Sequence, residues 1–208
     1  MTRIFTTLAL LSLGLFLAAV VLGLSIGDLY DNPDADVLRI RGVHMLTGTA
    51  AALAVVFVHS IVITYFVGTS RWCKEVTETY RLDPAPLVRS NQLKRRTFPW
   101  SVLGMLTVVV VGALGAASDP GTGRPDTASM ANVHLAAAFA GLALVGWTYL
   151  RAWSNILDNQ AVIQKILDDV RQIRRERGLD TDPLTDESHL DDRKSLDLSG
   201  SAGFSTKS

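Results

Sequence analysis

The stretch Gly42–Ser70, GVHMLTGTAAALAVVFVHSIVITYFVGTS, contains no Asp, Glu, Lys or Arg. A helix needs about 20 mainly apolar residues to cross the hydrocarbon core of a bilayer, so this stretch predicts a membrane-spanning helix. Three more uncharged stretches of comparable length occur in the 208-residue chain. The pattern predicts an all-α, polytopic membrane four-helix bundle, with spans at about 4–27, 42–68, 98–118 and 130–152.

The first of these spans follows a short basic start, Met1-Thr2-Arg3, as a signal peptide would. Its apolar run exceeds the roughly 7–15 residues of a signal core, and no clear small-x-small cleavage site precedes Asp28. We therefore expect the first span to be retained in the bundle.

Charges between the spans predict the orientation of the chain. Cations concentrate in the second loop and after the fourth span, at Arg71, Lys74, Arg81, Arg89, Lys94, Arg95, Arg96, Arg151, Lys165, Arg171, Arg174, Arg175 and Arg177. Because basic segments remain in the cytoplasm, both termini are expected there, in a plasma (inner) membrane protein. The run Lys94-Arg95-Arg96 is expected to sit at anionic headgroups, and no nucleic-acid partner is expected.

Two parts of the sequence echo each other. Val20-Val21-Leu22-Gly23 is echoed by Val109-Val110-Val111-Gly112, and a Val-His pair opens the span that follows each. Further on, Thr64-Tyr65-Phe66 is echoed by Thr148-Tyr149-Leu150, although the second span holds about six more residues between its histidine and its tyrosine. The echoes predict two tandem helical hairpins in the same orientation.

The two Val-His pairs place His44 and His134 inside the second and fourth spans. An ionisable imidazole in hydrocarbon is costly, so it usually has a partner or a function. The repeat would bring both rings to a similar depth, facing each other across the bundle core. There, two imidazoles could bind the iron of one haem from opposite faces.

Other residues near the two histidines fit the same site. Gly48 and Ala138, each one turn below its histidine, would let a flat macrocycle approach both helices. The cations Arg39, Arg41 and Arg124 lie just beyond the spans, where they could pair with haem propionates. The candidate site is haem b with His44 and His134 as metal ligands and Gly48, Ala138 and Arg41 as further cofactor-binding residues.

At these residues the chain resembles small b-type cytochrome membrane proteins, and in layout one half of haem A synthase. The resemblance covers about residues 4–153 and implies four-helix units whose second and fourth helices present haem-ligating histidines near the outer face. In haem A synthase an acidic residue and an arginine flank the histidine, whereas Gly42-Val43 and Met45-Leu46 flank His44 here. The resemblance therefore implies the ligation scheme and not haem A synthesis.

Other interpretations of the histidines remain open. Each could bond a neighbouring carbonyl or rest in the headgroup region, and chlorophyll magnesium is another metal that imidazole could bind. His59, with Ser60, Thr64 and Tyr65, could form a polar pocket for a quinone head, or could simply hydrogen-bond across the bundle. The single cysteine, Cys73, excludes an intramolecular disulfide and c-type haem attachment.

Beyond the fourth span, apolar residues recur at heptad positions, namely Ile156, Ile163, Ile166, Val170 and Ile173, with Asn159 replacing one of them. The pattern predicts an amphipathic cytoplasmic helix over 154–178, either as a short coiled coil of a homodimer or as a solvated extension. The segment 179–208 has few large apolar residues and is expected to be a disordered tail.

Two functions follow from this sequence. One is a b-type cytochrome-like subunit that carries electrons through one bis-histidine haem near the outer membrane face, with respiratory-complex subunits or quinone as partners. The other is a cofactor-free multi-pass scaffold or assembly subunit. No carboxylate pair or Ser/His/Asp arrangement lies within the spans, so no catalytic residue is predicted and an enzymatic activity is left open.

Overall fold

The computed structural model of the protein describes residues 2–31, 33–124 and 126–179. Within these ranges it is built from α1 (Thr2–Leu24), α2 (Ala35–Tyr80), α3 (Ala85–Ser118), a 3-10 turn (Pro120–Thr122) and α4 (Thr127–Glu176). All four α-helices are long and apolar enough to cross a membrane. The predicted all-α, four-helix, multi-pass membrane architecture is confirmed.

Three connections join the helices: L1 (25–34), L2 (81–84) and L3 (119–126). L1 and L3 lie at one end of the bundle, called here the L1/L3 end, because both follow helices that start at the opposite end. The chain divides into two compact units, a bundle that extends to Gln164 and a second unit that begins at Lys165. In the second unit α4 continues to Glu176, as the predicted extension requires, while residues 180–208 of the predicted tail lie outside the described residues.

The basic segment 71–96, which its charge marks as a loop, is helical except for L2. Arg81 ends α2 in the left-handed region at φ 55°, and its backbone N–H donates to the Thr77 carbonyl. Asp83 then accepts a hydrogen bond from the Ala85 N–H at 3.0 Å where α3 begins. Hydropathy therefore marks only the part of each helix within the membrane, whereas caps and turn residues mark where the helix stops.

The two hairpins, α1–α2 and α3–α4, bury matching residues. Four buried positions of α1 recur in α3 at the same spacing: Phe5, Ala9, Ser12 and Phe16 correspond to Thr97, Ser101, Gly104 and Val108. Five of α2 recur in α4: Val55, Val58, His59, Val62 and Phe66 correspond to Val145, Thr148, Tyr149, Ala152 and Ile156. The same faces of equivalent helices therefore form the core, as a tandem pair of hairpins requires.

This correspondence corrects the register suggested by the sequence echoes. Gly23 corresponds to Gly115 rather than to Gly112, because each contacts the histidine of its own hairpin. Tyr149 corresponds to His59 rather than to Tyr65, so the apparent excess of residues in the second span disappears. The echoes were misleading because apolar spans share short Val-rich and Thr-Tyr strings by chance.

At the L2 end, a buried amide joins three helices. The Asn159 side chain is fully buried and donates through Nδ2 to Tyr65 Oη at 3.2 Å and to Thr69 Oγ1 at 3.0 Å. Its Oδ1 accepts from Ser90 Oγ at 3.0 Å. A buried polar group satisfied on three sides fixes the register of the helices that supply its partners, which explains the polar residue at an apolar heptad position.

Candidate functional site

A cavity of about 680 Å³ lies among the four helices at the L1/L3 end. This volume falls within the roughly 300–1,000 Å³ of small-molecule and cofactor pockets. Its wall is mainly aliphatic and small, and every helix contributes to it. Representative lining residues are Ala19, Gly23, Gly48, Val111, Gly115 and Ala138.

His44 of α2 and His134 of α4 both line this cavity. Their ring centroids are 6.1 Å apart, and the ring planes are inclined at 76°. A metal–imidazole bond is about 2.0–2.1 Å long, so two imidazoles on opposite sides of one metal have centroids about 6.3 Å apart. The observed centroid separation is close to this distance.

The ring of His44 is held by the backbone of α1. Its Nδ1 lies 2.9 Å from the Ala19 carbonyl oxygen. A carbonyl oxygen can only accept, so Nδ1 carries the hydrogen, and in the neutral imidazole Nε2 keeps its lone pair. Such an Nδ1–H bond to a backbone carbonyl is how metal-ligating histidines are usually oriented.

His134 has the equivalent neighbour in the second hairpin. The Val111 backbone, which corresponds to that of Ala19, lies near this ring, but the buried Nδ1 of His134 has no hydrogen-bond partner among the described residues. Equivalent helices thus lie behind the two imidazoles, and only the ring of His44 is held there by a formed hydrogen bond.

Two glycines give the histidines their space. A Cβ built at Gly23 would lie 3.0 Å from Cε1 of His44, and one built at Gly115 would lie 3.0 Å from Cε1 of His134. Such contacts are tighter than ordinary van der Waals packing, so any larger side chain would push the ring away. Sequence reasoning missed both residues, although each stands near the end of the helix that precedes a Val-His pair.

The small residues predicted beside the histidines also lie in the cavity wall. A Cβ at Gly48 would meet nothing within 4 Å, so this position opens onto free space. Ala138 is 6% exposed and belongs to the same wall. The structure therefore brings His44, His134, Gly48 and Ala138 together in the wall of one cavity, as the sequence predicts.

An ion pair lies in the part of the cavity wall nearest L1 and L3, called here the mouth of the cavity. Arg41 lines the cavity and donates through Nη2 to both carboxylate oxygens of Asp119, at 2.6 and 2.7 Å. Gly121 packs so closely against this guanidinium that a Cβ there would collide with it. Tyr30 Oη donates to the Ser118 carbonyl at 2.9 Å, which joins L1 to the end of α3.

Of the three arginines predicted to pair with haem propionates, only Arg41 lines the cavity. Arg39 and Arg124 are exposed and do not line it. The Nε of Arg41 is buried and has no hydrogen-bond partner among the described residues. One buried N–H of this guanidinium thus remains able to donate to an anionic group at the mouth of the cavity.

The Arg41–Asp119 pair should make stability depend on pH. Burial raises the pKa of Asp119, but the hydrogen bonds from Arg41 and Gly121 and the charge of Arg41 lower it more, so the net pKa lies below its ordinary value of 3.8. The carboxylate therefore stabilises the fold fully above pH 3.8, and this contribution is lost as the pH falls through the lower pKa of the folded protein.

We expect Asp119→Asn to destabilise the protein by about 1–3 kcal/mol at neutral pH, since a charge-assisted hydrogen bond is lost. Thermal unfolding of the protein in mild detergent measures the effect, and the difference from wild type should shrink below about pH 4. The matched control is Asp158→Asn, because the Arg89–Asp158 pair is 43% and 48% exposed and should contribute at most about 1 kcal/mol. Equal effects of the two changes would contradict the assignment.

Nearer the L2 end, the core of the bundle is a packed cluster of side chains rather than a cavity. His59 is fully buried, its ring centroid lies 4.9 Å from that of Tyr149, and its Nε2 lies 3.2 Å from Thr148 Oγ1. Tyr149 Oη is 2.8 Å from Ser12 Oγ. These contacts match the interpretation of His59 as a histidine that hydrogen-bonds across the bundle.

The predicted quinone pocket around His59 is not assembled. Ser60 is exposed and donates to the Val56 carbonyl of its own helix. Tyr65 accepts from Asn159 at the L2 end instead. No Cβ fits at Gly104, because it would overlap the His59 ring. The His59 ring therefore occupies the space that a side chain at Gly104 would otherwise fill.

No protein-family model, curated protein or solved structure matches the chain.

Proposed function

We propose that the protein is a membrane-embedded b-type cytochrome that carries electrons through one haem held by His44 and His134. The observation that supports this proposal is the pair of imidazole rings 6.1 Å apart across a cavity of about 680 Å³. A haem held by two imidazoles supplies one-electron transfer. In the predicted orientation the site is near the outer face of the membrane.

In this proposal the two hairpins contribute equivalent parts. His44 and His134 would supply the two imidazole nitrogens, and the Ala19 carbonyl orients the ring of His44 from behind through Nδ1. Gly23 and Gly115 leave room for the imidazoles. Holding both ligands in rigid helices favours low-spin ligation and electron transfer over binding of a substrate to an open metal position.

Arg41 has a second role in the same proposal. Its charge is neutralised by Asp119, yet its buried Nε remains free to donate to a carboxylate. The propionates of haem b are such carboxylates, and their place would be at the mouth of the cavity, facing the L1/L3 end. The aliphatic wall below the mouth would exclude water from the macrocycle.

The alternative of a cofactor-free scaffold accounts less well for the cavity. Protein interiors are close-packed, and unfilled space costs stability in proportion to its volume. A scaffold would gain from larger side chains at Gly48 and Ala138, both of which line the wall. Small residues around two facing imidazoles instead suit a large flat ligand.

Haem content tests this proposal. The full chain, expressed with sufficient haem and purified in mild detergent, is expected to carry about one non-covalent haem b per chain, because one ligand pair is available. Pyridine haemochrome absorbance against protein mass gives the ratio. A haem content near zero in protein that unfolds cooperatively would refute the proposal.

A further inference from the structure

One arginine and two tryptophans form a cluster on the surface of the bundle, at the L2 end of the apolar stretches of α3 and α4. Arg151 is exposed, and its guanidinium carbon is 5.8 Å from the Trp100 ring centroid and 6.0 Å from that of Trp147. The indoles come from α3 and α4, so the arginine bridges two helices. An arginine held within about 6 Å of an indole face gains cation–π stabilisation.

The contacts of Arg151 leave its hydrogen-bonding capacity unused. Aromatic contacts engage the faces of the planar guanidinium, whereas its N–H groups point outward from its edge. Within the part of the chain that the structure describes, no carboxylate pairs with Arg151 and no acceptor bonds to it. A fixed cation with free donors matches the planar, two-oxygen geometry of a phosphodiester.

A second arginine that has no ion pair among the described residues lies on the same surface. Arg96 is exposed and stands one helical turn before Trp100 on α3, which places both on one face of that helix. Arg96 is the last charge before the apolar stretch of α3, and Arg151 is the first charge after that of α4. Both cations therefore lie at the depth of the lipid phosphates, where tryptophan side chains also prefer to be.

From these observations we infer a specific binding site for the phosphate group of an anionic phospholipid, formed by Arg151, Arg96, Trp100 and Trp147. A zwitterionic lipid presents the same phosphate, but its own ammonium group would lie among the arginines and be repelled. An anionic glycerophospholipid such as phosphatidylglycerol brings no cation, and its single negative charge offsets one of the two arginine charges. This site is independent of the proposed haem site, which lies at the L1/L3 end.

Native mass spectrometry of the full chain tests the inference. The protein is released from detergent micelles after titration with phosphatidylglycerol or phosphatidylcholine of identical acyl chains. We expect one phosphatidylglycerol to be retained at least about fivefold more tightly than phosphatidylcholine, and Arg151→Gln to lower this preference about fivefold, because one interfacial cation contributes about that factor. Arg151→Lys should retain part of the preference, since it keeps the charge and loses the planar fork.

The matched control is Arg39→Gln, which removes an exposed cation at the L1/L3 end and should leave lipid retention unchanged. Equal retention of the two lipids by the wild-type protein would overturn the inference, as would equal effects of Arg39→Gln and Arg151→Gln. Displacement of bound phosphatidylglycerol by inorganic phosphate would also overturn it, because the site would then serve a free anion. None of these outcomes depends on whether the protein contains haem.

Discussion

Replacing either His44 or His134 by alanine is expected to abolish low-spin ligation and to weaken haem retention by at least about tenfold. Even the loss of a residue that only orients a metal ligand lowers metal affinity or activity about 10–100-fold. The single changes should be nearly equivalent, because the two rings lie 6.1 Å apart at equivalent positions of the two hairpins. Visible absorption of the purified variants measures both the haem content and the spin state.

Imidazole added to either variant gives a sharper test. The free base should enter the space left by the missing ring and restore the low-spin bands, which a merely misfolded variant would not allow. His59→Ala is the control, because His59 contacts Thr148 and Tyr149 and does not line the cavity. Bands that survive in both ligand variants, or that vanish in His59→Ala alone, would contradict the ligand assignment.

A methyl group at Gly104 is expected to cause a large loss of stability. The Cβ of Gly104→Ala would overlap the His59 ring, which is fully buried and cannot move into solvent. Overpacking of a well-packed core costs about 1–3 kcal/mol and occasionally more. Thermal unfolding in mild detergent should show this loss directly.

The control for that change is Gly146→Ala, where a Cβ meets nothing within 4 Å. This variant should be neutral or stabilised by up to about 1 kcal/mol, because alanine is the better helix former. Adding His59→Ala to Gly104→Ala should recover most of the loss, giving a coupling of roughly 1–3 kcal/mol between the two sites. Additive effects of the two changes would show that the ring and the glycine are not in contact.

Much of the fold could be predicted from the sequence because a bilayer imposes strong constraints. Uncharged stretches such as 42–70 specify spans, and the repeated Val-His pairs specify two tandem hairpins. The lengths of α2 and α3 could not be predicted in the same way. Their ends depend on the left-handed Arg81 and on Asp83, whose carboxylate accepts from the Ala85 N–H, and hydropathy registers neither feature.

The two histidines of the candidate site could be predicted from the sequence, whereas the glycines behind them and the nearby ion pair could not. His44 and His134 stand out because a titratable residue in an apolar stretch is unusual. Gly23 and Gly115 do not stand out, since a glycine matters only through the ring that packs against it. The pairing of Arg41 with Asp119, which are far apart in sequence, likewise depends on how the two hairpins pack.

The reduced-minus-oxidised visible spectrum of the purified wild-type protein, recorded with and without carbon monoxide, tests the central claim most directly. With His44 and His134 both bound to one iron, we expect sharp α and Soret bands of a low-spin haem b that carbon monoxide leaves unchanged, because no axial position is open. Absence of these bands after haem-replete expression, or a shift of the Soret band on addition of carbon monoxide, would contradict a bis-histidine haem between the two hairpins.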